Sequence, residues 1–247
     1  MVGLLTGILG GPAEATPPWR LGRRLRRLLR LVRPYTLSDR LRLATLYGLA
    51  CEVEVDGVPG DVVECGVYRG GSAAILGAAL GQVTERRLWL FDTFEGLPAP
   101  SEQDGKLAQS YEGRLAASVE FLREVMGKVG FPWKQLELRK GLFQDTLRQG
   151  LPERIALLHI DADWYESTLL ALRVLYPRVS FGGVVVIDDF GYWEGARKAF
   201  FTFCREEGAE PLLERVGDTQ SFWRKGAEHN RGLYQQFRVG VYRPRWQ

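Results

Sequence analysis

The sequence is poor in the residues that hold soft metals. Among 247 residues there are three cysteines, Cys51, Cys65 and Cys204, and two histidines, His159 and His229. The cysteines show no CxxC spacing and no paired framework. That points to a reducing, cytoplasmic setting and excludes a cysteine-ligated zinc site. Two histidines cannot build a histidine-rich site. Any metal must therefore be held mainly by carboxylates, which selects hard cations such as Mg²⁺ or Mn²⁺. Long apolar runs are missing too: none reaches the roughly 18–20 residues that a membrane span needs. The opening MVGLLTGILGG is apolar, but it lacks the basic start and the A-x-A-like cleavage site of a secretory signal. Residues 1–18 read as a loose or packed-down tail.

What is present is an ordinary globular composition, 45% hydrophobic and 26% charged, long enough for one decorated α/β domain. The net charge of +3 is unevenly spread. Trp19 to Arg33 (WRLGRRLRRLLRLVR) holds seven arginines and no acid; without them 26 basic residues face 30 acidic ones. The arginines and leucines fall at helical spacing over residues 20–33, and Pro34 ends the run. This basic amphipathic helix reads either as a solvated helix packing its leucines on the body or a second subunit, or as a contact for an anionic surface, including peripheral membrane. No aromatics interleave the arginines, so a nucleic-acid groove is excluded. The division expected is a tail and basic helix over 1–36 and a catalytic domain over 37–247.

Ser38 is placed to N-cap a helix from Asp39 to about Asp56. From Gly60 onward strands and helices alternate. Strands are expected at DVVECGV, RLWLFD, QLELRKG, IALLHID and GGVVVID. Helices are expected over Gly71–Leu80, through Lys128, near Asp145–Gln149, over Glu166–Tyr176 and over about Glu194–Glu207. A long polar loop, Thr93–Glu112, separates the second strand from its helix. Apolar β-branched strands in this alternation predict a Rossmann-like, doubly wound parallel sheet. Glu210–Val216 and Gln220–Arg224, joined by Gly217-Asp218-Thr219, predict an antiparallel hairpin at the C-terminal end.

The segment Glu64-Cys65-Gly66-Val67-Tyr68-Arg69-Gly70-Gly71-Ser72 lies at the carboxyl end of the first strand, where such folds bind ligands. Gly66 lets a ligand approach the backbone; Gly70 and Gly71 allow a turn into a helix whose N–H groups receive an anion. Tyr68 occupies the middle glycine of a GxGxxG pattern, which disfavours a dinucleotide and leaves room for a carboxylate. Glu64 can pair with a ligand ammonium, so the segment fits an amino-acid-like cofactor. Asp92, ending LFDTFEG, can accept from two ribose hydroxyls. Phe94 can pack near a nucleoside or in the core. After strand three, Gly141 and Phe143 reach the same edge, where Phe143 either faces an adenine or packs structurally.

Asp161 ends strand four (LLHIDAD), and Asp188 and Asp189 end strand five (VVVIDDF). Neighbouring strand ends lie about 5 Å apart, so three carboxylates converge. Uncompensated, their charges raise one another's pKa; a hard cation removes that penalty. Asp163 reads as a local helix cap. Bound to a cation, a hydroxyl loses its proton more easily, and Asp161 is the candidate base. His159, by strand alternation, either lines the site or is a satisfied buried histidine.

The runs DGVPGDVVECGVYRGGSA, LFDTFEGLP and HIDADWYEST…LYPRVSFGGVVVIDDFG resemble the macrocin O-methyltransferase (TylF-like) family over roughly Leu37–Lys225. That family methylates sugar hydroxyls on macrolides and related glycosylated natural products. The resemblance implies a class I methyltransferase fold, S-adenosyl-L-methionine, Mg²⁺ and a homo-oligomer. It puts metal ligands on Asp161, Asp188 and Asp189 and the catalytic base on Asp161. It puts cofactor contacts on Glu64–Ser72, on Asp92 and near Phe143. The arginine-rich start is outside the pattern. Other readings are a phenolic or catechol acceptor, a non-catalytic cofactor-binding module, and a nucleotide-dependent oxidoreductase.

Overall fold

Four apolar runs rich in valine, isoleucine and leucine form the buried strands of a parallel sheet, and a fifth, more polar run, LELRK, forms its half-buried edge. A computed structural model describes residues 22–81, 84–148 and 150–226; the tail expected over 1–18 lies outside them. The described residues begin with α1 (Arg23–Val32) and α2 (Arg40–Val55) and then alternate. β1 (Asp61–Cys65) leads to α3 (Gly71–Leu80), and β2 (Leu88–Asp92) to α4 (Gly105–Ala108) and α5 (Val119–Val129). β3 (Leu136–Lys140), α6 (Phe143–Thr146), β4 (Ile155–Ile160) and α7 (Tyr165–Leu175) follow. β5 (Val179–Ile187), α8 (Glu194–Glu207), β6 (Glu214–Val216) and β7 (Gln220–Arg224) complete the order. The sheet runs β3-β2-β1-β4-β5-β7-β6, with β1 to β5 parallel and the last two strands antiparallel. This is the class I methyltransferase arrangement.

The sheet divides two apolar layers. On one side Val62, Leu90, Leu157 and Val186 pack with leucines of α2 and with α3 and α5. On the other, Val63, Phe91, Leu158 and Ile187 pack with Leu169, Leu172, Phe200 and Phe203 of α7 and α8. Leu25, Leu28, Leu29 and Val32 of α1 join the first layer, so its arginines alone face outward. Among the described residues no helix is long and apolar enough to cross a membrane.

Four local expectations are corrected. Asp39, not Ser38, caps α2: its Oδ1 accepts from the Leu41 and Arg42 N–H groups at 2.7 and 3.0 Å. Ser38 instead turns inward and its N–H donates to Thr36 Oγ1. The short helix after β3 begins at Phe143, two residues earlier than expected, and Gln149 lies outside the described residues. Within the hairpin the first strand is only Glu214–Val216, while β7 also pairs with β5 and so extends the sheet.

The fourth concerns Asp163. The cap of α7 is not Asp163 but Asp104, from the polar loop 61 residues earlier in the pairing, whose Oδ1 accepts from the Tyr165 N–H at 2.6 Å. Its Oδ2 accepts from the Ser101 N–H and hydroxyl, each at 2.7 Å. Trp164 Nε1 donates to the Pro98 carbonyl at 2.8 Å, fastening the same loop to the start of α7. Asp104→Ala removes a buried cap and should cost about 1–2 kcal/mol. The expected fall in Tm is roughly 2–8 °C in a chain of this size, read by calorimetry.

Candidate active site

The carboxyl ends of β1, β2, β4 and β5 open onto a cavity of about 450 Å³. Gly66, Val67, Tyr68 and Ser72 from the loop after β1 line it, with Asp92 and Phe143. So do Asp161, Asp163, Asp188 and Asp189. Tyr35 to Ser38 and Arg42 form a further wall, and Tyr111, Tyr192 and Trp193 form the aromatic one.

Gly66 has φ +91°, and a Cβ there would overlap the carbonyl oxygen of Asp161. The bare backbone expected to admit a ligand therefore also admits the end of β4. Gly71 plays the same part toward the backbone of Tyr35, which crosses over the start of α3. Asp92 organises this loop: Oδ2 accepts from the Val67 and Tyr68 N–H groups at 2.6 and 2.9 Å, and Oδ1 from Phe94 at 2.6 Å.

Several residues expected at the site are not on the cavity wall. Glu64 is fully buried and Oε1 is 2.9 Å from His159 Nδ1, so a ligand ammonium does not reach it. Cys65 points into the opposite apolar layer, and burial pushes its thiol up. Phe94 is a core residue. Arg69 stacks on Tyr68 and Phe121, at 5.0 Å from each ring. Gly70, Gly71 and Gly141 shape the turns next to the cavity without lining it. His159 is buried, as one of the two readings had it: register pairs it with Glu64, whose carboxylate meets its Nδ1, while its Nε2 has no hydrogen-bond partner and faces Asp188 Oδ1 at 3.7 Å.

Asp161, Asp188 and Asp189 each place one oxygen within 4.8 Å of the others. Burial raises all three, but their other neighbours set them apart. Asp161 is pushed well above the usual carboxylate range by burial and by Asp188 and Asp189. Asp189 rises to about 6 through burial and Asp188. Burial also raises Asp188, but His159, Arg42 and Gln220 outweigh it and hold it below its ordinary value. Burial pulls His159 down, yet Asp188 and Glu64 prevail and push it up to about 9. Asp163 rises through burial and Asp189, although Trp193 Nε1 donates to its Oδ1 at 2.7 Å. Its φ is +56°, a strained value for a residue with a side chain.

A donor set of three converging oxygens that repel one another is suited to a hard divalent cation. A family model described as Macrocin-O-methyltransferase (TylF) matches residues 30–225. The chain belongs to that family. A tetracenomycin-C rhamnosyl 4'-O-methyltransferase of Streptomyces olivaceus is 36% identical over 206 residues, covering 81% of this chain and 78% of that protein. Mycinamicin III 3''-O-methyltransferase of Micromonospora griseorubida is 32% identical, covering 78% of this chain and 79% of that one. The solved structure of the O-methyltransferase NovP superposes with a TM-score of 0.71 at 30% identity, covering 77% and 81% of the two chains. The macrocin O-methyltransferase family and these relatives thus share one transfer chemistry.

Arg42 and Gln220 escape a reading of local sequence; they reach Asp188 from α2 and β7. Asp163 had a signal, its place two residues after Asp161 at a strand end, and Trp193, an aromatic readable as a stacking face for the acceptor, is also found donating to it. Gly66→Ala combines backbone strain with overlap at Asp161 and should cost about 2–6 kcal/mol. Chemical denaturation measures it; stability unchanged would contradict the close approach of the two strand ends.

Proposed function

We propose that the chain transfers a methyl group from S-adenosyl-L-methionine to a hydroxyl of a sugar on a glycosylated natural product. Asp161, Asp188 and Asp189 would hold Mg²⁺ or Mn²⁺. The observation that carries this reading is the juxtaposition of the three acids with the Gly66–Tyr68 loop and Asp92 in one cavity. Supporting it, the relatives named for sugar positions cover most of the chain. The aromatic wall of Tyr111, Tyr192 and Trp193 offers apolar faces to a sugar or its aglycone. A homo-oligomer in the cytoplasm accompanies this reading, and light scattering after size-exclusion checks the oligomer.

When bound, the sulfonium supplies an electrophilic methyl and the cation a Lewis acid that lowers a hydroxyl pKa. The chain's own residues do the rest. Asp92, held in place by the Val67 and Tyr68 N–H groups, presents the polar edge for a nucleoside. Ser72 lies in the first turn of α3, a ten-residue helix whose first N–H groups suit a carboxylate. The aromatic wall and the Tyr35–Ser38 strap exclude water and orient the acceptor, the proximity contribution to rate.

The proton acceptor is reassigned from Asp161 to Asp163. A carboxylate engaged by a cation has little basicity left, and Asp163 stands outside the set of three. It nevertheless lines the cavity, and Trp193 fixes its orientation. Asp163→Asn should lower kcat by about 10²–10⁴-fold with Mn²⁺ affinity retained. An unchanged kcat would return the role to Asp161.

The wider reading is tested by calorimetry and turnover together. S-adenosylhomocysteine should bind, and the double change Asp188→Asn with Asp189→Asn should abolish turnover while sparing that binding. NAD binding in place of S-adenosylhomocysteine would overturn the cofactor; full activity after chelation would overturn the cation.

A further inference from the structure

Asp188 is held differently from its two neighbours. It is 2% exposed, and protein donors reach both of its oxygens. Arg42 Nη1, from α2, donates to Oδ2. Gln220 Nε2, from the first residue of β7, donates to Oδ1 at 2.6 Å. His159 Nε2 stands 3.7 Å from the same Oδ1, and its other ring nitrogen is 2.9 Å from Glu64. Glu64, His159 and Gln220 are each 1% exposed or less. The pairing of Ile187 with Ser221 makes Asp188 and Gln220 neighbours on the next rung between β5 and β7.

Gln220 carries a cost that packing does not explain. Its carbonyl Oε1 is buried with no hydrogen-bond partner, so the amide is satisfied at one end only. An apolar side chain of the same volume would avoid that cost. What the amide adds is the bond to Asp188. It is also the uncharged member of the group that holds this carboxylate. Arg42, and His159 when protonated, bring positive charge that opposes a cation nearby; an amide fixes the carboxylate without that opposition.

We propose that Gln220 is a positioning residue for the cation site, fixing the Asp188 carboxylate beside the oxygens of Asp161 and Asp189. This rests on the reading that those three acids hold a divalent cation. Outer partners of metal ligands commonly govern affinity by 10- to 100-fold, because they remove the freedom the ligand would otherwise lose on binding. The antiparallel end of the sheet then has a chemical role: it delivers the donor that orients a ligand on β5.

The test uses the full-length chain, treated with chelator and titrated with Mn²⁺ in a calorimeter, as wild type and as Gln220→Met. Methionine keeps the length and apolar stem but has no N–H. Mn²⁺ should bind about 10–100-fold more weakly to the variant, with S-adenosylhomocysteine affinity unchanged. Wild-type Mn²⁺ affinity in the variant overturns the positioning role alone. A wild type that binds S-adenosylhomocysteine but no Mn²⁺ overturns the cation reading and this proposal with it. Should Gln220→Met fail to fold, the unaltered chain still decides, by NMR with glutamine-selective ¹⁵N labelling. The Gln220 side-chain amide should exchange slowly with solvent and shift on addition of Mg²⁺; an amide signal unmoved at saturating Mg²⁺ overturns the proposal.

Discussion

Like charge gathered at the ends of β4 and β5 is the constraint around which the site is built. Asp161, Asp188 and Asp189 lie so close that Asp188 and Asp189 raise the cost of ionising Asp161, and Asp188 that of Asp189. Folding them together without a cation is tolerable because the protein compensates Asp188 most fully. Arg42, His159 and Gln220 surround it, while Asp189 is offset only in part by Arg42 and Asp161 keeps the repulsion. In the proposed cation site that asymmetry would be useful: one ligand would be fixed in advance, and two would gain most when a cation arrives.

This arrangement also explains the polar residues placed inside an otherwise apolar sheet. Glu64 would be costly in β1 if it were unpaired. Beside His159 it becomes the far end of a row reaching from β1 through β4 to Asp188. Glu64 and His159 touch no cavity wall, so their part is support rather than contact. The same logic applies to Asp104, whose carboxylate joins the polar loop to α7 and leaves Asp163 free to face the cavity.

The sequence made the framework legible because its signals are local. Five strands, the Gly66–Gly71 turn and three acids at two strand ends can all be read within windows of a few residues. The helices over Gly71–Leu80 and Glu194–Glu207 fall where periodicity and flanking glycines put them. What was not legible depends on pairing over distance. Glu64 meets His159 only through the register of strands 95 residues apart, and Gln220 meets Asp188 only because β7 turns back beside β5. A carboxylate at a strand end looks the same in sequence whether it faces a ligand or a histidine. Ser38 and Asp39 illustrate a finer ambiguity: both can cap a helix, and the cavity takes one of them.

The Asp188 cradle draws on residue 42 and residue 220, so the site is spanned by nearly the whole family-matched length of the chain. During synthesis the amino-terminal strands and helices emerge first and can begin to pack. The proposed cation site would not be finished at that stage, because the Gln220 amide has yet to leave the ribosome. A nascent chain halted before β7 would carry the glycine loop, the three acids and an apolar core, but with Asp188 held from one side only. Completion of the site thereby becomes a late event, coupled to closure of the last edge of the sheet.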